Sequence, residues 1–199
     1  NTENKRMKKM WWVLLLALLM SGCAMKPPSQ VGDACAIYKE RSGLLNSWER
    51  QTKKAERRYG VPAPILLATI YQESRFHPRI RPPRKKLMGF IPWKRPSNAY
   101  GYAQALKGTW KEFQVEEGKP MARRNRYKHA VQFVGWYHNK THQRNKVSKQ
   151  DAYNLYLAYY SGHGGYARRT YANNPTILAA AQRVNTMAQR YDAQLRQCG

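Results

Sequence analysis

The chain is poor in acidic residues and in cysteine, and both shortages narrow what it can be. It has 11 aspartates and glutamates against 36 lysines and arginines in 199 residues, which gives a formal net charge of +25. Such a charge predicts anionic partners, which are nucleic acid, acidic lipid headgroups or an acidic polymer. No two of the three cysteines have metal-ligand spacing and the five histidines are scattered, so we expect no metal and no cofactor.

Strand patterns are nearly absent and no internal repeat is found, so the predicted fold class is all-α. A long amphipathic helix is predicted over Ile37–Tyr59, ended by Gly60, and a short buried helix follows it. Four further helices are predicted: one capped by Thr109 and reaching Val115, one over Arg123–Asn145, one capped by Ser148 and Asp151 and broken at Gly162–Gly165, and one over Pro175–Leu195.

The first apolar run is too short to span a bilayer and has the length of a signal peptide. Trp11–Met20 is apolar, follows Lys8 and Lys9, and lies behind a polar extension over residues 1–6. The run L-M-S-G-C resembles a bacterial lipobox, which implies cleavage before Cys23 and attachment of lipid to its sulfur. The alternative is an ordinary signal peptide with a chance cysteine.

The predicted organisation is a signal peptide over 1–22, a lipidated cysteine and linker over 23–36, and one helical domain over 37–199. Acyl chains anchor a protein to a membrane, since each buried methylene contributes roughly 0.8 kcal/mol. In enteric lipoproteins, an acidic residue directly after the lipidated cysteine retains the protein in the inner membrane. Ala24 occupies this position, so we expect the protein on the periplasmic side of the outer membrane. Because a protein exported there does not meet the chromosome, nucleic acid is not the expected partner.

Two cysteines remain once Cys23 carries lipid, one near each end of the mature chain. Because the periplasm is oxidising, we predict a disulfide between Cys35 and Cys198. The alternative is two free, unrelated thiols, but the bridge also explains the odd number of cysteines.

Ile65–Pro78 reads I-L-L-A-T-I-Y-Q-E-S-R-F-H-P, an apolar run with a polar tip. Pro78 ends the helix, which places Glu73 on its last turn. Helical spacing from Thr69 puts the carboxylate on or beside the buried face. Desolvation raises the pKa of such a group, which can then donate a proton near neutral pH. Taken alone, a solvated glutamate or one paired with Arg75 is the simpler interpretation.

The segment 77–96 is long, basic and irregular, with seven cationic residues and five prolines. Loops of this length are usually lids, binding loops or disorder. Phe90, Ile91 and Trp93 favour a loop that packs on another part of the molecule, and the alternative is a mobile insertion without a role.

Three short motifs follow one another along the chain. The first is E-S-R-F-H-P from Glu73, the second is A-Y-G-Y-A-Q ending at Gln104, and the third is A-Y-Y-S-G-H-G from Ala158. Together they resemble the soluble lytic transglycosylase (SLT) domain family, similar to the goose-type lysozymes. That family shows E-S-x-F-x-P, G-L-M-Q and A-Y-N-A-G-x-G. The resemblance covers roughly Trp48–Tyr191.

The resemblance implies a lysozyme-like helical domain with a groove for a peptidoglycan glycan strand. It implies a lytic transglycosylase that cleaves the bond between N-acetylmuramic acid and N-acetylglucosamine and leaves 1,6-anhydro ends. Glu73 matches the single catalytic acid/base, Gln104 an amide that holds a substrate acetamido group, and Tyr159 a tyrosine beside the acid. The other predicted substrate-binding residues are Ser97, Gly101, Tyr102 and Tyr160.

The chain departs from the family pattern around these residues. Tyr102-Ala103 stands where Leu-Met is usual, Tyr160-Ser161 stands where Asn-Ala is usual, and the segment 77–96 replaces a much shorter link. Because of these departures, the family pattern does not predict the shape of the groove around the acid or the position of Ser97. The matches of Glu73 and Gln104 to the family motifs do not depend on them. For the two aromatic rings of the second motif, Tyr100 and Tyr102, two roles are open: they stack on the faces of sugar rings, or they pack in the core.

Two other functions are compatible with the sequence. A hydrolase would cut the same bond with water and would need a second carboxylate, for which Asp151 and Glu112 are the candidates. A non-catalytic peptidoglycan-binding lipoprotein would not need Glu73 or Gln104, and both are present. A DNA-binding role rests on charge alone, and we expect a monomer.

The family order places the segment 77–96 beside the groove, and we expect its cations to guide the anionic glycan strand. Exposed charges are screened over about 10 Å at 0.1 M salt and mainly speed encounter. Neutralising Arg84, Lys85 and Lys86 together should therefore weaken binding to purified sacculi and flatten its salt dependence, while turnover of a short uncharged chitooligosaccharide changes little. Undiminished binding at low salt, or equal loss of activity on charged and uncharged glycans, would refute this role.

Overall fold

The computed structural model describes residues 26–44, 47–84, 86–88, 91–92 and 95–198. These ranges hold seven helices and one hairpin: α1 Ala34–Glu40, α2 Trp48–Tyr59, α3 Ala63–Ser74, β1 Lys86–Leu87, β2 Ile91–Pro92, α4 Lys107–Glu116, α5 Tyr127–Asn145, α6 Ala152–Ala167 and α7 Pro175–Cys198. The all-α prediction is confirmed, since each strand contributes only two residues. None of the helices described has the length and apolar character needed to cross a membrane. The predicted signal peptide and Cys23 lie outside the described residues.

The apolar helix α3 lies at the centre of the core. Leu66, Leu67 and Ile70 are fully buried, because a helix that is apolar on most sides is stable only when other elements cover it. It packs mainly on α7, and also contacts α2 and α5. The helix ends at Ser74, where Arg75 takes a left-handed backbone conformation with φ 48°. Glu73 therefore lies on the last turn, as the sequence predicts.

The single helix predicted over Ile37–Tyr59 is two helices, so that prediction is wrong. The chain breaks between α1 and α2 because Gly43 is a poor helix former and because Ser47 caps the second helix. The Ser47 hydroxyl accepts a hydrogen bond from the Arg50 N–H (3.3 Å). Leu44, which the amphipathic pattern assigned to the buried face, is 88% exposed.

The starts of α4 and α5 also differ from the prediction. α4 begins at Lys107 and not after Thr109, and its first N–H donates to the Asn98 side-chain oxygen (2.8 Å), which comes from outside the helix. α5 begins at Tyr127 and not at Arg123. The contact with Asn98 sets the first residue of α4, and local sequence pattern does not show it. Before α5, the Arg123 N–H donates to Nδ1 of His129 (2.9 Å), so the residues before Tyr127 form a turn and not helix.

The break predicted at Gly162–Gly165 is a kink within α6. Gly162 has φ 74° and ψ 157°, which a glycine adopts without strain, and the helix then resumes to Ala167. The predicted cap at Asp151 is present, since its carboxylate accepts from the Asn154 N–H (3.0 Å). Ser148 takes no part in that cap. The last helix extends to Cys198, beyond its predicted end.

The basic segment 77–96 contains the short antiparallel hairpin β1–β2, where the sequence predicts irregular structure. The two sides of this segment are joined at its base, where Arg95 donates a hydrogen bond to the Pro82 carbonyl. Phe90 and Trp93, which were expected to pack on another part of the molecule, lie outside the described residues.

The first and last helices are joined covalently. Cys35 in α1 and Cys198 at the end of α7 form a disulfide, with 6.1 Å between their Cα atoms and a sequence separation of 163. The structure thus joins the pair that the sequence analysis names. At the same junction the Ala34 N–H donates to the Gln194 side chain (2.9 Å), so α1 begins inside the segment predicted as linker.

Replacing both bridged cysteines by serine should lower the free energy of unfolding by about 4–5 kcal/mol at most, because the bridge limits the freedom of the unfolded chain. Urea denaturation of the oxidised protein and of the double variant measures the difference. Reduction of the unmutated protein should produce a similar loss and serves as the control. Two free thiols in a non-reducing peptide map of the oxidised protein would contradict the bridge.

Candidate active site

Glu73 places a carboxyl group at the edge of the core, on the last turn of α3. Its side chain is half-buried, and desolvation raises its pKa to about 7. A hydrogen bond from the Tyr156 hydroxyl to Oε1 (2.7 Å) acts in the opposite direction, because it stabilises the carboxylate. The group therefore exchanges its proton near neutral pH, as a general acid/base requires.

The alternative pairing of Glu73 with Arg75 does not occur. The Arg75 guanidinium lies over the ring of Tyr71 (5.2 Å) and donates to its hydroxyl (3.1 Å). Among the ion pairs in the described ranges, none includes Glu73. No cation therefore offsets the desolvation that raises the pKa of this acid.

Two tyrosines one turn apart on α6 connect this acid with the second motif. Tyr156 donates to Glu73, whereas Tyr159, the residue predicted beside the acid, donates to the Ala103 carbonyl (2.6 Å). Burial, and then the charge of Glu73, raise the pKa of Tyr159 well above its ordinary value, and its ring stacks on the ring of Tyr156 at 6.2 Å. The sequence analysis missed Tyr156, which lies three residues before Tyr159 on the same helical face; this spacing is the signal that could have found it.

A tight turn over residues 101–104 presents Gln104. Gly101 has φ 80°, and a Cβ there would lie 2.2 Å from the Arg124 carbonyl oxygen, so only glycine fits. The Gln104 side-chain nitrogen donates to the carbonyls of Ile80 (3.1 Å) and Gly101 (2.9 Å). With that nitrogen engaged, the amide oxygen is the group left to accept a hydrogen bond.

Arginines hold the outer side of this turn. Arg124 donates to the carbonyls of Asn98 and Ala105, both at 2.8 Å. The guanidinium groups of Arg124 (5.2 Å) and Arg81 (4.7 Å) lie over the ring of Tyr100. The ring of Tyr100 thus contacts cations of the protein itself, and the start of the basic segment is fixed beside the turn.

The remaining predicted substrate contacts have different environments. The prediction for Tyr102 is wrong: it is fully buried and meets Trp48 (5.6 Å) and Tyr127 (5.8 Å) edge to face, because the turn directs it into the core. Tyr160 is 57% exposed. Ser97 is exposed, and its hydroxyl accepts a hydrogen bond from a backbone N–H two residues further on (3.4 Å).

A buried histidine that the sequence analysis did not consider supports the site. The Thr69 hydroxyl donates to the Ile65 carbonyl (2.9 Å), so it accepts from the protonated Nε2 of His138 (3.0 Å). Burial lowers the pKa of His138 to about 3, which keeps the ring neutral. Because Thr69 lies one turn before Glu73 and His138 packs against Tyr159 (5.5 Å), the inner side of the site carries no positive charge from this residue.

The two acids considered as a second carboxylate have other environments. Asp151 caps α6 and also accepts from the Asn154 side chain (2.7 Å). Glu112 is exposed on α4, and within the described ranges it makes no hydrogen bond to the three motifs. The same part of the chain holds no group of three or more histidine, cysteine or acidic side chains that could bind a metal ion.

The fold and the site together define a lysozyme-like helical domain with one desolvated acid beside a glutamine-bearing turn. The family model described as transglycosylase SLT domain matches residues 11–198, and the chain belongs to this family. The resemblance carried by the three motifs is thereby confirmed. Membership implies lytic transglycosylase activity on peptidoglycan in general, with a glycan strand as substrate. A comparison with curated proteins found no match.

Tyr156→Phe should raise the pKa of Glu73 above about 7, because it removes the hydrogen bond that stabilises the carboxylate. A pH titration of the carboxyl carbon by NMR measures this, with Glu73→Gln used to assign the signal. Tyr159→Phe is the matched control, since it removes a tyrosine hydroxyl that donates to Ala103 and not to the acid. An unchanged or lower pKa in Tyr156→Phe would contradict the assignment.

Proposed function

We propose that this protein is a lytic transglycosylase that cleaves the bond between N-acetylmuramic acid and N-acetylglucosamine and forms 1,6-anhydromuramyl ends. The observation that carries the proposal is the desolvated carboxyl group of Glu73, the one acid in the three motifs, whose pKa is about 7. Glycosidases that transfer the sugar to water usually employ two carboxylates. One carboxyl group suffices when the nucleophile belongs to the substrate.

Glu73 acts in both steps of the proposed reaction. The protonated acid gives its proton to the glycosidic oxygen as the bond from this oxygen to the anomeric carbon breaks, and the substrate acetamido group supports the anomeric centre. The resulting carboxylate then takes the proton of the muramyl 6-hydroxyl, whose oxygen bonds to the anomeric carbon and closes the anhydro ring. Glu73 ends protonated, so no water and no external proton are consumed.

The groups around the acid suit a neutral sugar. The Gln104 nitrogen is held by two backbone carbonyls, so its amide oxygen is available to accept the N–H of a substrate acetamido group. Tyr156 donates to the carboxylate, which favours the form of Glu73 that exists between the two steps. We assign the exposed Tyr160 to a sugar contact and Ser97 to the rim of the groove. Gly101, predicted as a sugar contact, is buried, and its N–H and carbonyl bond to Ile80 and Gln104, so its role is to shape the turn.

We also propose that lipid on Cys23 anchors the enzyme at the periplasmic side of the outer membrane. The support is the L-M-S-G-C run followed by Ala24, together with the strong positive charge. The full sequence carries +25, and +22 remains once Lys5, Arg6, Lys8, Lys9 and Glu3 are removed with the signal peptide, which suits the free carboxylates of peptidoglycan. Mass spectrometry of the mature N-terminus tests this anchor, and an unmodified Cys23 in membrane-extracted protein would contradict it.

Glu73→Gln should abolish the release of anhydro-muropeptides from purified sacculi and leave the fold intact, because an amide neither gives nor takes the proton. Mass spectrometry of the released muropeptides measures the product and its end group. Glu112→Gln is the matched control, since it removes an exposed acid from α4 and should leave the products unchanged.

Two outcomes would overturn this proposal in different ways. Activity of Glu73→Gln above a small fraction of that of the unmutated enzyme would refute the acid/base assignment. Products with reducing ends in place of anhydro ends would identify a hydrolase, and their loss in Glu112→Gln would name the second carboxylate.

A further inference from the structure

A cleft of about 510 Å³ opens between the end of α1 and the start of α5. Trp48 and Tyr127, whose rings stack at 3.8 Å, are among its lining residues. One acid, Glu40, lines it together with four basic residues, which are Arg41, Arg123, Arg126 and Lys128. The cleft is separate from the groups around Glu73 described above.

The positive charge of this cleft is poorly compensated by the protein. Arg41 lies 3.5 Å from Glu40, but that carboxylate also accepts two hydrogen bonds from Ser29, each 2.8 Å long. In the ranges that the structure describes, neither Arg123 nor Arg126 forms an ion pair with an acid. Like charges around one cleft repel, and an anion between them would relieve the repulsion.

One buried polar atom at this cleft, Nε of Arg41, has no hydrogen-bond partner among the described residues. A buried donor without a partner is unfavourable, so a ligand that pairs with the Arg41 guanidinium would remove that cost. The fully buried Tyr102 lies behind the cleft, because its ring packs edge to face on two of the lining residues, Trp48 and Tyr127.

We propose that this cleft binds a compact oxyanion, a carboxylate or a phosphate group, through Arg41, Arg123 and Arg126. Guanidinium groups bind both oxyanions in a two-pronged manner. His129 at the cleft accepts from the Arg123 N–H with Nδ1 (2.9 Å), which leaves Nε2 of the neutral ring as a further donor. The site stands on these contacts and does not depend on the proposed function.

Occupancy of the cleft would reach the candidate active site through one turn. Tyr102 belongs to the turn that presents Gln104, and its N–H donates to the Arg124 carbonyl (3.3 Å). Arg124 lies in the segment that supplies Arg123 and Arg126 to the cleft. An oxyanion held by Arg123 and Arg126 would therefore order the segment whose backbone supports the turn. If the bound group is a carboxylate, it would come from a peptidoglycan stem peptide. If it is a phosphate, it would be the free inorganic ion.

Isothermal titration calorimetry at constant ionic strength tests the site, with inorganic phosphate in one arm and a free stem tetrapeptide in the other. We expect one saturable site, bound roughly tenfold more weakly by Arg126→Gln because a charge-assisted hydrogen bond is lost. Arg57→Gln removes an exposed arginine of α2 outside the cleft and should bind as the unmutated protein does. Tighter binding of the tetrapeptide would identify the carboxylate source, and tighter binding of phosphate the free ion. No saturable binding in either arm, or equal effects of the two variants, would overturn the proposal.

Thermal denaturation supplies a second test that does not depend on activity. With phosphate, the unmutated protein should gain more in Tm than Arg126→Gln, since a ligand that binds only the folded state stabilises it. Arg57→Gln should gain as much as the unmutated protein. An equal gain in all three proteins would show that Arg126 does not contact the ion and would overturn the proposal.

Discussion

The partial burial of one carboxyl group at the end of α3 is the constraint on which the site depends. The helix is apolar on most sides and is held inside by α7 and its other neighbours, so its last turn emerges at the edge of the core. Desolvation at that edge raises the pKa of Glu73 to about 7 from its ordinary 4.5. A glutamate in open water would be ionised at neutral pH in almost every molecule and would have no proton to give. The position of α3 in the fold thus determines the chemistry available to the site.

This arrangement is unfavourable for stability at neutral pH. Because the pKa of Glu73 is higher in the folded chain than in a solvated carboxyl group, the protonated form favours folding. That contribution is complete below about pH 4.5 and is lost as the pH rises through about 7. The hydrogen bond from Tyr156 recovers part of it, since it stabilises the carboxylate. The covered core and the bridge between α1 and α7 supply stability that does not depend on this proton.

Features that depend on local pattern could be predicted from the sequence, and features that depend on distant contacts could not. The apolar run and Pro78 suffice to place Glu73 on the last turn of a buried helix. Tyr156 was missed because it meets this acid across 83 positions of the chain. Tyr102 was misassigned because the direction of its side chain follows from a turn that the Arg124 backbone shapes. The break between α1 and α2 could have been predicted from Gly43 and from Ser47 as a helix cap. It was missed because the helical spacing of the apolar residues was given more weight than these two signals.

In a chain with 36 basic residues, the raised pKa of Glu73 also requires that none of them lies against its carboxyl group. A guanidinium group beside Glu73 would favour the carboxylate and lower its pKa by roughly 1–3, which would cancel the effect of burial. Two arginines close to that turn are engaged elsewhere: Arg75 donates to the Tyr71 hydroxyl (3.1 Å), and Arg183 donates to the Gln72 side chain (3.4 Å). The donor that does reach the acid is a neutral phenol. The positive charge is therefore kept away from this carboxyl group, whose pKa is governed by desolvation and by a neutral hydrogen bond. In the functions proposed above, the positive charge attracts anionic substrate and lines the oxyanion cleft.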